Sequence, residues 1–139
     1  MIPDHWRGSG TRPCKRHGVG SEEGSPSACR GDEGFAPLAQ KFGLAPLAQA
    51  AKETGVAVLA LTRVLHYAAL WPETTALAEQ GLAAIAMTSS PPFVAPAGGK
   101  RPFFGTNPMA FAWPRPGAAP MVWDQASSVM ARGEVMMHK

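Results

Sequence analysis

The stretch Val94–Pro116, VAPAGGKRPFFGTNPMAFAWPRP, decides how this 139-residue chain is to be read. Glycine and proline alternate there with short apolar bursts, so the backbone is held in set bends. Such geometry suits a cofactor or substrate loop on a rigid scaffold. Within and beside it, prolines at 91, 92, 96, 102, 108, 114 and 116 leave room only for short strands, around Met109–Trp113 and Met121–Trp123. Thr106-Asn107-Pro108 reads as a turn, with Asn tolerating unusual dihedrals. Asp124-Gln125-Ala126-Ser127-Ser128 and Met130-Ala131-Arg132-Gly133 follow.

Upstream, the pattern alternates helix and strand. Leu44, Leu47, Ala48 and Ala51 fall at helical spacing, and Gly55 stands where a glycine ends a helix. Val56–Leu61 (VAVLAL) is a continuous apolar run, read as a buried strand. Tyr67, Leu70, Trp71, Thr74, Leu77 and Ala78 make a second helical stripe closed by Gly81, with Pro72 confined to the first turn. Leu82–Met87 (LAAIAM) repeats the buried-strand pattern. The segments 53–61 and 79–87 echo each other as helix end, glycine stop and strand, which places both strands in one helix-covered sheet.

Composition changes near Gly34. Residues 1–33 hold six glycines, five Arg or Lys and no leucine, without apolar periodicity. Such a segment buries too little to offset its ordering entropy, so it is expected to be disordered, or to be an aberrant, out-of-frame start. Residues 34–139 read as the structured part.

Bulk properties exclude several classes. The chain is 45% hydrophobic and 17% charged, with net charge +3 and no basic stripe interleaved with aromatics, which argues against nucleic-acid binding. No apolar run approaches the ~18 residues of a membrane span, and the N-terminus lacks a signal peptide's apolar core. A cytoplasmic protein is the expectation. Cys14 and Cys29 are too few for a disulfide framework or a four-cysteine zinc site, and no metal is expected.

Two nucleotide motifs fail. Gly98-Gly99-Lys100 is followed by Arg101 where a phosphate loop needs Ser or Thr for magnesium. No G-x-G-x-x-G joins a strand to a helix, so the Rossmann fingerprint is absent. His66 falls at the head of the second helix, where the dipole favours an anion and an imidazole can pass a proton at neutral pH. Asp124 ends an apolar run and, unaided, reads as a turn former or helix cap. Met130, Met136 and Met137 read as core.

Taken together, His66, Val94-Ala95-Pro96-Ala97-Gly98-Gly99, Gly105-Thr106-Asn107-Pro108-Met109-Ala110-Phe111 and Asp124-Gln125-Ala126-Ser127 resemble the malate/L-lactate dehydrogenase family that lacks a Rossmann fold. The resemblance covers residues 34 to 139. Tyr67–Pro72 and Phe111–Pro116 look most like its cyclic imino-acid reductases, which act on Δ1-piperideine-2-carboxylate and Δ1-pyrroline-2-carboxylate. It implies an α/β fold with an atypical, largely antiparallel sheet, NADP or NAD as cofactor, a cyclic imine or 2-oxo acid as small-molecule substrate, and a homodimer. The alternatives are a malate/L-lactate/ureidoglycolate-type dehydrogenase, or a non-catalytic fragment that keeps nucleotide binding.

The resemblance also implies roles. Arg63, Val64, Leu65, His66 and Tyr67 match a cofactor-contacting turn, as Ser90, Asp124, Gln125 and Ala126 match further nucleotide contacts. Thr106, Arg132 and Gly133 match substrate contacts. His66 and Glu134 stand at proton-transfer positions, and are the catalytic candidates. The family's Ser-His-Gly motif is not found here, and its usual turn reads Arg63-Val64-Leu65-His66. The chain is therefore expected to be a truncated nucleotide-binding core, with weak or no catalysis alone and exposed strand edges prone to aggregation.

Overall fold

The computed structural model describes residues 15–17, 27–65, 69–129 and 137, and for 15–17 and 27–33 the backbone alone. Two compact units divide the chain, Met1–Ala68 and Ala69–Lys139.

In the first unit, α1 spans Ala36–Thr54. Pro37 lies in its first turn, where a missing N–H costs nothing, whereas Pro46 lies inside and removes one i→i−4 bond. The buried positions Ala36, Ala39, Gln40, Gly43 and Ala48 recur at helical spacing and are mostly small, so the helix sits close to its sheet. A Cβ on Gly43 would stand 2.6 Å from Leu59 Cδ2, which locates the closest approach. Gly55 ends α1 as expected, in the left-handed region at φ 83°, with its N–H donating to Ala51 O at 2.9 Å.

Three strands complete that unit: β1 (Lys15–His17), β2 (Ser27–Phe35) and β3 (Leu59–Leu65), in the order β1-β2-β3. β1 pairs antiparallel with β2, and β2 parallel with β3, from Ser27↔Leu59 to Phe35↔Leu65. β2 runs through Gly34, and β1 and β2 lie mostly ahead of it. Ladder hydrogen bonds are made by the backbone, which apolar composition does not register. The third strand is displaced from 56–61 to 59–65, leaving Val56 and Val58 exposed and ahead of it. Thr54 Oγ1 donates to Ala50 O (2.8 Å) and lies 2.6 Å from Val56 O, holding the chain beside the helix end before pairing starts at Leu59.

In the second unit, α2 (Trp71–Ala78) covers one face of an antiparallel sheet of β4 (Ala84–Met87), β5 (Met109–Arg115) and β6 (Ala118–Gln125). The helix ends with Leu82 N–H donating to Leu77 O and Gly81 N–H to Ala78 O, a Schellman motif with Gly81 at φ 82°. Leu70, 1% exposed, contributes about 2 kcal/mol by burial. Buried Thr74 turns its hydroxyl onto Trp71 O at 3.1 Å, which satisfies that donor within the helix. Ala84, Ala110 and Ala112 line the covered face and let the helix lie close to the sheet.

The two apolar runs expected to share a sheet lie in different ones: β3 pairs with β2, and β4 with β5. Nor is β4 buried on both faces, since Ile85 and Met87 are exposed while Ala84 is buried. The last strands are longer than the prolines suggested. Pro114 sits at the register shift between Trp113 and Arg115, and Pro120 on the edge strand β6, both places where a missing N–H is tolerated. Among the described residues three of the four strand pairings are antiparallel, as the α/β, largely antiparallel reading requires.

Candidate functional site

The end of β4, the start of β5 and the end of β6 lie together, because Met87 pairs with Met109 and Met109 with Gln125. The polar residues beyond these strand ends therefore share one end of the second sheet. Thr88 N–H donates to Pro108 O at 3.2 Å, extending the β4–β5 pairing into the loops.

Ser90 is the hub of that cluster. Its Oγ accepts the Thr106 N–H at 2.8 Å and lies 3.1 Å from Thr106 Oγ1, while its own N–H donates to Asn107 Oδ1 at 3.1 Å. Asn107 takes φ 39°, the left-handed conformation the Thr-Asn-Pro turn called for. A Cβ on Gly105 would stand 2.2 Å from Ser90 O, so only glycine lets the turn dock this tightly. From the other side, Ser127 N–H donates to Thr106 O at 2.8 Å and its hydroxyl to Asn107 O at 2.6 Å. Thr106 is thus buried and held from both flanking segments.

Asp124 has a structural task at the same end. Its Oδ2 accepts the N–H groups of Leu70 (2.8 Å) and Trp71 (2.9 Å), capping α2 from across the sheet. Leu70, at the cap position itself, offers no side-chain acceptor. The cap reading and the cofactor reading of Asp124 are compatible, because both cap bonds fall on Oδ2 alone. Glu73, in the first turn of α2, is half-buried. Burial pushes its carboxyl pKa up, its own backbone N–H opposes this, and the charge of Asp124 adds to the rise.

The long loop ahead of Thr106 is itself ordered by pairing. Val94 bridges Phe104, with N–H to O distances of 2.9 Å in both directions. At its tip Gly99 N–H returns to Pro96 O at 2.8 Å, and Gly98 at φ 76° occupies the position where a type II turn needs glycine. Phe103 and Phe104 meet edge to face at 5.1 Å, both exposed.

The structure brings Ser90, Thr106, Asp124, Gln125 and Ala126 to one end of the second unit's sheet. Arg63, Val64 and Leu65 belong to the first unit, in strand β3 and not in a turn, with Arg63 at φ 53°. The strand outruns the expected turn because β2 continues to pair with it through Leu65. His66, Tyr67, Arg132, Gly133 and Glu134 lie outside the described residues. Sequence reasoning placed Ser127 in the Asp124–Ser127 motif without giving it a role, and did not single out the two capped N–H groups. The Asp124 cap has no local signal, since its partners lie more than fifty residues upstream.

A family model described as malate/L-lactate dehydrogenase matches residues 2–139. The chain belongs to the malate/L-lactate dehydrogenase family. That match begins upstream of Gly34, where the resemblance read from motifs began. The chain is 50% identical over 106 residues to a Δ1-pyrroline-2-carboxylate/Δ1-piperideine-2-carboxylate reductase of Pseudomonas aeruginosa, covering 76% of this chain and 32% of that protein. It is likewise 50% identical over 105 residues to Δ1-pyrroline-2-carboxylate reductase 2 of Burkholderia multivorans, with 76% and 31% covered. Among solved structures, Δ1-piperideine-2-carboxylate reductase of Pseudomonas syringae superposes with TM-score 0.79 at 40% identity, over 88% of this chain and 36% of that one. Malate dehydrogenase of Entamoeba histolytica gives 0.80 at 25% identity, over 93% and 36%. The chain spans about a third of the length of these relatives. Among the described residues no helix is long and apolar enough to cross a membrane.

Proposed function

We propose that this chain carries the nucleotide-contacting core of an NAD(P)H-dependent oxidoreductase that reduces a cyclic imino acid, Δ1-piperideine-2-carboxylate or Δ1-pyrroline-2-carboxylate. The observation that carries the proposal is the Ser90–Thr106–Asn107 cluster held beside Asp124 at one sheet end, in a chain half identical to reductases so named. The donor set fits a dinucleotide and a small carboxylate. Asp124 offers a carboxylate oxygen to hydroxyl or amide donors, and Thr106 a hydroxyl to an anion.

Ser90 gives that hydroxyl a direction. Because Ser90 Oγ already accepts the Thr106 N–H, its own proton is available to Thr106 Oγ1, and the Thr106 proton is then left to donate to a substrate carboxylate. Bound NAD(P)H supplies the hydride for the imine or carbonyl carbon, and is oxidised in doing so. Ser90, Asp124, Gln125 and Ala126, with Arg63 to Tyr67, are the residues assigned to hold it. Arg132 and Gly133 join Thr106 on the substrate, and His66 or Glu134 handles the proton that completes reduction. The reaction takes place in the cytoplasm, in a homodimer.

Reduction of a 2-oxo acid is the second reading, favoured by the likeness to malate dehydrogenase structures. Stopped-flow NADPH oxidation with the cyclic imines, pyruvate and oxaloacetate separates the two. Turnover confined to the imines supports the first reading. Turnover with oxo acids only would overturn it.

A further inference from the structure

Two carboxyl groups share the start of α2. The backbone donors there are the N–H groups of Leu70, Trp71 and Glu73, since Pro72 has none. Asp124 Oδ2 accepts the first two, and the Glu73 carboxyl accepts its own backbone N–H. A Glu at the third helical position ordinarily reaches back to the N–H of the cap residue. Here that donor, on Leu70, is held by Asp124 from 54 residues along the chain. The Glu73 side chain is turned inward, with Oε2 buried.

The elements packed against α2 bring few charges. Among their described residues β4 has no titratable group, β5 has Arg115 and β6 has Asp124. Arg115 lies at the end of β5 away from Met109, with Nε donating to Ala119 O at 2.8 Å. On α2 itself, Glu79 stands at the opposite end from Glu73. Asp124 is therefore the charged neighbour that these elements give Glu73. Burial pushes the Glu73 pKa up, its own N–H opposes this, and the Asp124 charge adds to the rise.

We infer that Glu73 is a positioning residue for the nucleotide site. Neutral, it leaves Asp124 seated on Leu70 and Trp71 with Oδ1 presented to the nucleotide. Ionised, it competes for the same helix start and weakens nucleotide binding. The inference rests on the assignment of Asp124 to the nucleotide. A helix start favours an anion, but two anions drawn to it at short range repel each other. A nucleotide that brings its own phosphates meets the added charge as well. Both effects run one way, so affinity falls as pH rises through the ionisation of Glu73.

Titrating the full chain against NADH and NADPH between about pH 5 and pH 8, with nicotinamide emission as the signal, tests it. Comparison with Glu73→Gln removes any titration of the nucleotide or of other side chains. The wild type should lose about fivefold more affinity across the range than the variant, the size of a Coulomb interaction between neighbouring charges in water-like surroundings. At the acid end the two chains should bind alike, because the amide stands in for the neutral carboxyl. A profile of the same shape in both chains would overturn the inference and leave the nucleotide reading intact. A folded wild type that changes the emission of neither nucleotide at any pH would overturn the nucleotide reading, and this inference with it. If Glu73→Gln loses its circular dichroism, Glu73→Ala, which cannot ionise either, serves with the same expectation for the slope.

Discussion

Replacing Asp124 tests whether one carboxylate both caps a helix and serves the site. Asp124→Ala removes the acceptor of the Leu70 and Trp71 N–H groups and the negative charge that faces the α2 dipole. A lost cap costs about 0.5–2 kcal/mol and a charge-assisted hydrogen bond about 1.5–3 kcal/mol. The Leu70 bond is only part-buried and the Trp71 bond is exposed, so water recovers part of the loss and about 2 kcal/mol is expected. At a typical urea dependence of about 2 kcal/mol per molar, the midpoint should fall by about 1 M. Tryptophan emission is the readout, because Trp71, Trp113 and Trp123 all lie in the second unit. Protein concentration must be held constant, since association shifts apparent stability. Asp124→Asn keeps an acceptor oxygen and should lose about half as much. An Asp124→Ala midpoint within about 0.2 M of wild type would refute the capping argument.

Three further outcomes follow from the same geometry. Gly105→Ala drives a Cβ into the Ser90 carbonyl and should cost about 3 kcal/mol or prevent folding, seen as a collapse of the thermal midpoint; an unchanged midpoint would show that the turn is not docked. Glu73 has a raised pKa, so the folded state binds its proton more readily than the unfolded chain does. Its contribution is present below the ordinary carboxylate range and is lost as pH rises through the higher folded value. The unfolding free energy of Glu73→Gln relative to wild type should therefore grow from acid to neutral pH, and parallel pH curves would contradict this. Ser90→Ala frees the Thr106 hydroxyl to turn, so KM for the imine should rise about tenfold with kcat less affected; an equal loss in both would place Ser90 in the chemical step.

Much of the fold was legible where local chemistry decides it. Gly55 and Gly81 end their helices, and Asn107 takes the left-handed turn, because glycine and asparagine tolerate the positive φ that those positions require. Strand position was less legible. VAVLAL looks like a strand, yet the ladder begins at Leu59 because β2 supplies the partner backbone, and hydrophobicity says nothing about a partner's register. The same holds for β2 itself, whose Gly, Arg and Asp conceal a paired backbone. At the site, motif resemblance singled out Ser90, Thr106 and Asp124, but not how they are joined. Ser127 closing on Thr106 and Asn107, and Asp124 reaching α2, are contacts between distant segments that only the folded chain brings together.

The central claim is that the Ser90–Thr106–Asp124 end of this chain takes a nicotinamide nucleotide. Titrating the protein into NADPH and following nicotinamide emission tests it most directly. A saturable, blue-shifted signal that weakens at least tenfold in Asp124→Asn, while that variant stays folded by circular dichroism, is the expected result. A folded wild type that leaves the emission unchanged, or an Asp124→Asn chain that binds as tightly as wild type, would contradict it.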